Sequence, residues 1–344
     1  MKYSERYWED VDRVIGCIPN IKKLYDSSIL ITGATGMICS CVAEVLFRLN
    51  TRKAGINLYL AGRSRERMAK RFYVFQEDKD YVFVEYDATK DMQIDVNPDY
   101  IIHGAGNANP VIYTKQPVET MLGNIVGLNS LLRLAVAKET KRVLYISSSE
   151  VYGNKSENCP YEERDYGVID ILNPRACYPS AKRAAETLSV SYSAEYGLDT
   201  VIVRPGHIYG PTITRKDTRA SAQFTWKAVD GQDIIMKSPG TQMRSYCYTL
   251  DCASAILTVL LEGVRTEAYN ISNKESVVSI REMAETFARY GKAKIIFENA
   301  SDAESRGFNL MSNSSLSAEK LEQIGWRACF NFEEGIKRTI DYLR

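Results

Sequence analysis

The run Ser28-Ile29-Leu30-Ile31-Thr32-Gly33-Ala34-Thr35-Gly36-Met37-Ile38-Cys39 sets an apolar strand against two glycines and then a helical pattern from Met37 to Leu49. In that setting glycines let backbone amides approach a pyrophosphate at a helix N-terminus. The stretch reads as a dinucleotide-binding turn, with Gly33, Thr35, Gly36, Met37 and Ile38 around the phosphates. The third glycine position of such a turn holds Cys39. A small thiol fits between helix and strand there at some packing cost.

Outward from this turn, strand-length apolar runs alternate with longer helical stretches. The runs are Ser28–Thr32, Asn57–Ala61, Tyr81–Tyr86, Tyr100–His103, Val143–Ser147 and Thr200–Arg204; the helical stretches include Pro117–Ala137 and Pro174–Tyr196. This is the rhythm of a parallel sheet buried on both faces, so the fold class is α/β: a doubly wound (Rossmann) sheet with a smaller, interleaved C-terminal substrate lobe. After Arg204 the rhythm breaks into loops, a helix near Ser221–Val229 and shorter elements, with Asp251–Gly263 patterned as a helix returning to the sheet. The expected organisation is an N-terminal helical extension at 1–27, a dinucleotide-binding domain at 28–206 with a return segment near 249–263, and a mainly substrate-binding cap lobe at 207–344.

At the end of the second strand, where a carboxylate would bind the adenosine ribose, the chain reads Arg63-Ser64-Arg65. Two readings stand: these residues hold a 2′-phosphate, the NADP arrangement, or they solvate the start of the next helix. Asp87 beside Ala88 ends the third strand, as a partner for adenine or as a turn-forming carboxylate.

Composition narrows the function classes. In 344 residues, 44 Lys and Arg face 43 Asp and Glu, so the totals carry no nucleic-acid footprint. Eight cysteines without CxxC spacing and only two histidines offer no zinc site; the cysteines read as reduced, buried cytosolic thiols. The N-terminus is polar rather than a secretory signal, and no window reaches about 20 uninterrupted apolar residues, so a soluble, cytoplasmic protein without a membrane partner is expected. Tyr7, Trp8, Val11, Val14 and Ile15 fall at helical spacing and predict an amphipathic helix packed on the body.

The chemistry is announced by Tyr178 and Lys182, four positions apart and so on one helix face. An ammonium there, with a nicotinamide cation if one is present, is expected to favour phenolate over phenol and bring a group of reference pKa ~10 toward neutrality, making a base for an alcohol proton. Ser147-Ser148-Ser149-Glu150 ends the fifth strand and supplies further groups to the same site.

Taken in order, Gly33-Ala34-Thr35-Gly36, His103-Gly104-Ala105-Gly106, Asn124-Ile125-Val126-Gly127, Ser147 to Gly153, Tyr178 with Lys182, Arg204 to Pro211 and Gly240 to Tyr248 resemble the extended short-chain dehydrogenase/reductase superfamily. Within it the chain is similar to the NAD-dependent epimerases and dehydratases that act on nucleotide sugars. Arg175-Ala176-Cys177-Tyr178 and Gly240-Thr241-Gln242-Met243-Arg244-Ser245 look most like UDP-glucuronate decarboxylases. The resemblance spans nearly the whole chain. It implies an enzyme with NAD or NADP held also by Gly104, Ala105, Asn124, Tyr178 and Lys182. Ser148 would hold the sugar 4-hydroxyl, Tyr178 would take its proton, and Ser149 and Glu150 would serve the decarboxylation and reprotonation that follow a transient 4-keto sugar. Arg244, Arg219 and Arg306 would bind the substrate phosphates, and His207 stands where relatives carry Asn. A 4,6-dehydratase would need Asp before Glu150, where Ser149 stands; a 4-epimerase usually has no carboxylate at that point. An NADPH-dependent 4-keto-sugar reductase would use the same Ser148, Tyr178 and Lys182, and a non-catalytic cofactor-binding regulator would typically have lost the tyrosine or the lysine. By the same resemblance, Pro117–Ala137 and Pro174–Tyr196 pair with a second copy in a homodimer.

Overall fold

The computed structural model describes residues 1–299 and 311–344. All six strands read from the sequence form: β1 (Ser28–Thr32), β2 (Asn57–Gly62), β3 (Val82–Glu85), β4 (Tyr100–His103), β5 (Arg142–Ile146) and β6 (Thr200–Pro205). They are followed by β7 (His207–Tyr209), β8 (Ile234–Met236), β9 (Met243–Tyr248), β10 (Ala268–Ile271), β11 (Val277–Ser279), β12 (Ile295–Phe297) and β13 (Asn313–Ser314). The central sheet has seven strands in the order β10-β6-β5-β4-β1-β2-β3, every pair parallel. Its strand order reverses at β1, which pairs β2 on one side and β4 on the other, so the crevice above β1 and β4 is the switch point where α/β sheets bind ligands.

Alternating side chains divide the core between the two faces of this sheet. Ile29, Ile31, Leu144 and Val203 pack into one cluster with helices α1 (Glu5–Gly16), α2 (Met37–Asn50) and α8 (Thr249–Glu262). Leu30, Ile101, Tyr145 and Ile202 point to the other, under α5 (Pro117–Ala137) and α6 (Cys177–Tyr196). Between these come the short α3 (Arg65–Arg71) and α4 (Pro110–Lys115), and α7 (Ala220–Val229) precedes α8. In length and apolarity α5 matches a membrane span, yet half of that stretch is buried inside the fold, as in the helix layer of a doubly wound sheet.

The chain crosses between lobes more than once. β7, β9, β11 and β13 form a second, four-stranded sheet, joined by α9 (Ile280–Gly291) and a final helix, Phe332–Leu343. From there α8 packs on the large sheet, and β10 then adds a strand at its edge that the sequence reading did not include.

The N-terminal extension is bound in as well. Ser4 caps α1, its hydroxyl accepting from the Tyr7 amide at 3.2 Å. Tyr7, Val11, Val14 and Ile15 are buried. A fully buried carboxylate, Glu44 on α2, accepts from Tyr3 at 2.7 Å and Arg71 at 2.6 Å, and from Tyr7. The cysteine expectation needs correction. Five thiols are buried, but Cys159 is exposed, and Cys17 and Cys329 are half-buried free thiols with sulfurs 2.7 Å apart. They lie at the end of α1 and before the final helix, positions where apolar patterning alone does not decide burial.

Candidate active site

The phosphate turn forms as the sequence suggests. Gly33 has φ +68, and a Cβ there would stand 2.8 Å from the Gly104 backbone, so the turn closes against the end of β4 only because Gly33 is a glycine. Gly36 caps α2 without a side chain and is exposed, leaving the first amides of the helix free toward the crevice. Thr35, Met37 and Ile38 are half-buried around it. Cys39 fills the space that Gly104 leaves: a Cβ on Gly104 would meet Cys39 Sγ at 2.3 Å. Burial pushes the Cys39 thiol up to about 12, so it packs as a neutral group. Ala105 donates its amide to Thr32 Oγ1 at 3.3 Å. Asn124 is buried, bonded to Thr120 and Tyr145. The residues present fit a dinucleotide: a close-approach turn, an open helix N-terminus and the switch-point crevice coincide.

Toward the adenosine end the three candidates part company. The Ser64 hydroxyl accepts from the Arg67 amide at 3.2 Å and is spent capping α3. Arg65 pairs with Glu77 at 2.5 Å and lies over Phe83. Arg63 is exposed, with no hydrogen bond or ion pair among the described residues. Together with Phe83 and Glu85, Arg63 and Arg65 line an open cavity of about 260 Å3. Asp87 takes the turn-forming role, accepting from the Thr89 amide at 3.1 Å and hydroxyl at 2.8 Å. Ala88 is buried where Gly127 of α5 passes close by.

At the reacting end β5, the turn after it and α6 converge. Ser148 caps the 3-10 turn Ser149–Tyr152, accepting from the Glu150 amide at 3.2 Å, and its side chain lies near enough to Tyr178 to favour the phenolate. Tyr178 and Lys182 are both buried in the first turns of α6. The expected pull of Lys182 on Tyr178 does not appear. Burial raises Tyr178 to about 12, opposed by Ser148 and Arg219 and reinforced by Glu150. Burial also lowers Lys182 to about 7, against the pull of Glu186 and Cys39, and its Nζ donates to the Ile146 carbonyl at 2.7 Å. Spacing brought the two side chains together, but desolvation favours the neutral form of each.

The groups for substrate phosphates are only partly assembled. Arg244 is buried, donating to the Met243 and Met311 carbonyls at 2.8 and 3.0 Å, with no carboxylate paired to it among the described residues. Arg219 is held by Asp217 and reaches Met37 Sδ at 3.9 Å, which puts it beside the phosphate turn. His207 has a buried Nδ1 without a partner among the described residues. Burial, then Arg244 and Arg219, lower it to about 3, so it is neutral at physiological pH. Arg306 lies outside the described residues.

Two neighbours escaped the sequence reading. Tyr113, buried on α4, stacks on Tyr178 with ring centroids 5.1 Å apart and planes 8° from parallel. Its hydroxyl donates to Glu150 Oε1 at 3.3 Å and accepts from Arg175 Nη2 at 3.2 Å. Arg175 Nη1 also reaches Glu150 Oε2 at 3.4 Å. Arg175 had a visible signal, its place three residues before Tyr178 on the way into α6; Tyr113 had none.

A model of the NAD dependent epimerase/dehydratase family matches residues 29–272. UDP-glucuronic acid decarboxylase 6 of Arabidopsis thaliana is 30% identical over 312 residues, covering 90% of this chain and 86% of that one. Among solved structures, an epimerase from Methanothermobacter thermautotrophicus superposes with a TM-score of 0.80 at 20% identity, over 95% of this chain and 94% of that one. A dTDP-glucose 4,6-dehydratase from Bacillus anthracis in complex with NAD gives 0.74 at 20% identity, over 92% and 96%.

Proposed function

The chain belongs to the NAD dependent epimerase/dehydratase family, and from that premise we propose that it is a nucleotide-sugar lyase of the UDP-glucuronate decarboxylase kind, working through a transient 4-keto sugar. The observation that carries the reading is Glu150 on the same turn as Ser148, next to Tyr178, with Ser149 rather than an acid beside it. Gly33, Gly36 and the first amides of α2 would hold the cofactor pyrophosphate, and Lys182 its ribose. When bound, the nicotinamide supplies a hydride acceptor and donor at C4 of the sugar.

Ser148 and Tyr178 hold the C4 hydroxyl between them, and Tyr178 removes its proton. Oxidation at C4 makes a C6 carboxylate β to a ketone, so carbon dioxide leaves without a strong acid and the electron pair remains on C5. Glu150 then needs only to manage one proton at C5. A dehydratase would need an acid and a base together to expel the 6-hydroxyl, and Ser149 does not supply the second group. His207, neutral between Arg219 and Arg244, suits a diphosphate that those guanidiniums neutralise.

Arg63, exposed and in no ion pair among the described residues though it helps hold Asp87 ionised, favours a second reading for the cofactor alone, in which it meets a 2′-phosphate; the rest of the site suits NAD retained through a redox-neutral cycle. Mass spectrometry of cofactor released from denatured protein decides between them. Val118, Met121 and Leu122, exposed on α5 beside Val111 and Ile112 of α4, support a homodimer through this face, and light scattering giving a monomer at micromolar concentration would refute it. The reaction itself is tested with UDP-glucuronate, UDP-glucose and dTDP-glucose. A UDP-pentose with carbon dioxide from the first supports the reading; a 4-keto-6-deoxy sugar from either glucose substrate, with no product from the glucuronate, overturns it.

A further inference from the structure

Tyr113, Glu150 and Arg175 form a closed triangle in which each side chain touches the other two, and no step described so far uses two of its three members. The three come from separate places in the chain: α4, the turn after β5, and the 3-10 turn Pro174–Ala176 that leads into α6. Each bond, at 3.3, 3.2 and 3.4 Å, is long enough to be modest alone. Their geometry is nonetheless constrained from outside. The Tyr113 ring is clamped flat against Tyr178, and the Arg175 guanidinium lies over the Tyr113 ring at 5.6 Å. Cys177 adds a contact from its Sγ to the Tyr113 carbonyl at 3.5 Å. The orientation of Glu150 is thereby tied to that of the group that opens the reaction.

We propose that Tyr113 and Arg175 are positioning residues that hold the Glu150 carboxylate in register with Tyr178, so that a proton taken up from solvent is passed by this carboxylate to C5 before the keto sugar escapes. This rests on the lyase reading of the site. The need for such a brace follows from the charges. A sugar acid brings its own carboxylate into a pocket that already contains Glu150, and like charges at close range repel. An unrestrained Glu150 would swing toward water. The guanidinium of Arg175 offsets the repulsion, and the Tyr113 hydroxyl sets the direction of the carboxylate. Burial, with Glu150 next, raises the Tyr113 phenol well above its ordinary value, so it remains a donor and does not compete with Tyr178 as a base.

The test separates oxidation from proton return. Tyr113→Phe keeps the ring stack and removes the hydroxyl; Arg175→Ala removes the cation and Arg175→Lys restores charge without the fork. With UDP-glucuronate, single-turnover absorbance of the reduced cofactor reads the C4 oxidation, and NMR of the products reads the share of turnover released as 4-keto sugar. The proposal expects oxidation within about threefold of wild type, a released 4-keto share raised roughly tenfold or more, and partial rescue by Arg175→Lys. An unchanged product partition in a variant that folds by circular dichroism overturns the brace while leaving the lyase reading intact. Oxidation and partition failing together with the fold assign both residues a merely structural role, which also overturns it. If the wild type oxidises only UDP-glucose or dTDP-glucose, the lyase reading fails by itself, and deuterium wash-in at C5 of that sugar then decides the brace: slower wash-in in Tyr113→Phe sustains it and equal wash-in removes it. No wild-type turnover on any of the three removes the reading and the brace together.

Discussion

Tyr178 and Lys182 sit in a protein environment that opposes the protonation state their chemistry needs. With the phenol pushed up to about 12 and the amine lowered to about 7, both by burial, the neutral phenol and neutral amine are favoured together between those values. The protein alone therefore stores the base in its inactive form, and the positive charge of an oxidised nicotinamide, when bound, would favour the phenolate. In cofactor-free protein Lys182 is expected to release its proton near pH 7, read by NMR of the methyl-labelled lysine, while Tyr178 keeps its own through pH 10, read as ultraviolet difference titration against Tyr178→Phe. That variant retains the stack on Tyr113 and is expected to lose about 10^2- to 10^4-fold in kcat. A Lys182 titration above 10 without cofactor would contradict the burial argument. Residue spacing announced the pair but not this sign, because spacing along a helix reports proximity and says nothing about desolvation.

Between elements, the contact of α2 with β4 shows how a departure from a motif is absorbed. Cys39 takes the third glycine position, and its thiol occupies the volume over Gly104. Gly104→Ala is expected to destabilise the fold by about 1–3 kcal/mol through overpacking, and Cys39→Gly to recover part of that loss, so a double-mutant cycle in urea should show coupling between them; additive effects would mean that the two sites do not share this space. The strands β1, β4, β5 and β6 were legible because strands buried on both faces are continuous apolar runs. β10 was not, since Ala268-Tyr269-Asn270-Ile271 is short and carries a buried amide. Asn270 is satisfied by the Tyr161 carbonyl and the Tyr152 hydroxyl, partners that no local pattern reveals. Glu150 was legible as a site residue from its place after Ser148, whereas its brace was not: Tyr113 and Arg175 come from other segments and meet it only once α4 and α6 are in place. The ribose end was half legible, with Arg63, Ser64 and Arg65 adjacent in sequence but diverted to solvent, a helix cap and an ion pair.

At the scale of the whole molecule, the chain ends close over the α2–α8 layer, and one buried carboxylate marks where they meet. Asp251, fully buried at the start of α8, accepts from the Cys329 and Phe330 amides at 2.7 and 3.2 Å. Burial dominates those two hydrogen bonds and raises it from 3.8 to about 7. Between these values the folded chain binds a proton that the unfolded chain has released, so stability from this group is fully present below about pH 4 and is lost as pH rises through about 7. His103 and His207, both lowered to about 3, act in the opposite direction over about pH 3 to 6.5, because there the unfolded chain binds the extra protons. The wild-type profile alone therefore mixes the two signs. Comparison with Asp251→Asn isolates the carboxylate. The variant carries a roughly constant loss of about 1–2 kcal/mol from imperfect hydrogen bonding, but relative to wild type it should gain stability between pH 4 and 7.5, with a ceiling of roughly 4 kcal/mol set by the distance between the two pKa values. Urea unfolding midpoints across that range measure the difference. Parallel curves would place Asp251 in a region that hydrates freely, and the junction of α8 with the C-terminal segment would then be far less tightly closed than its burial implies.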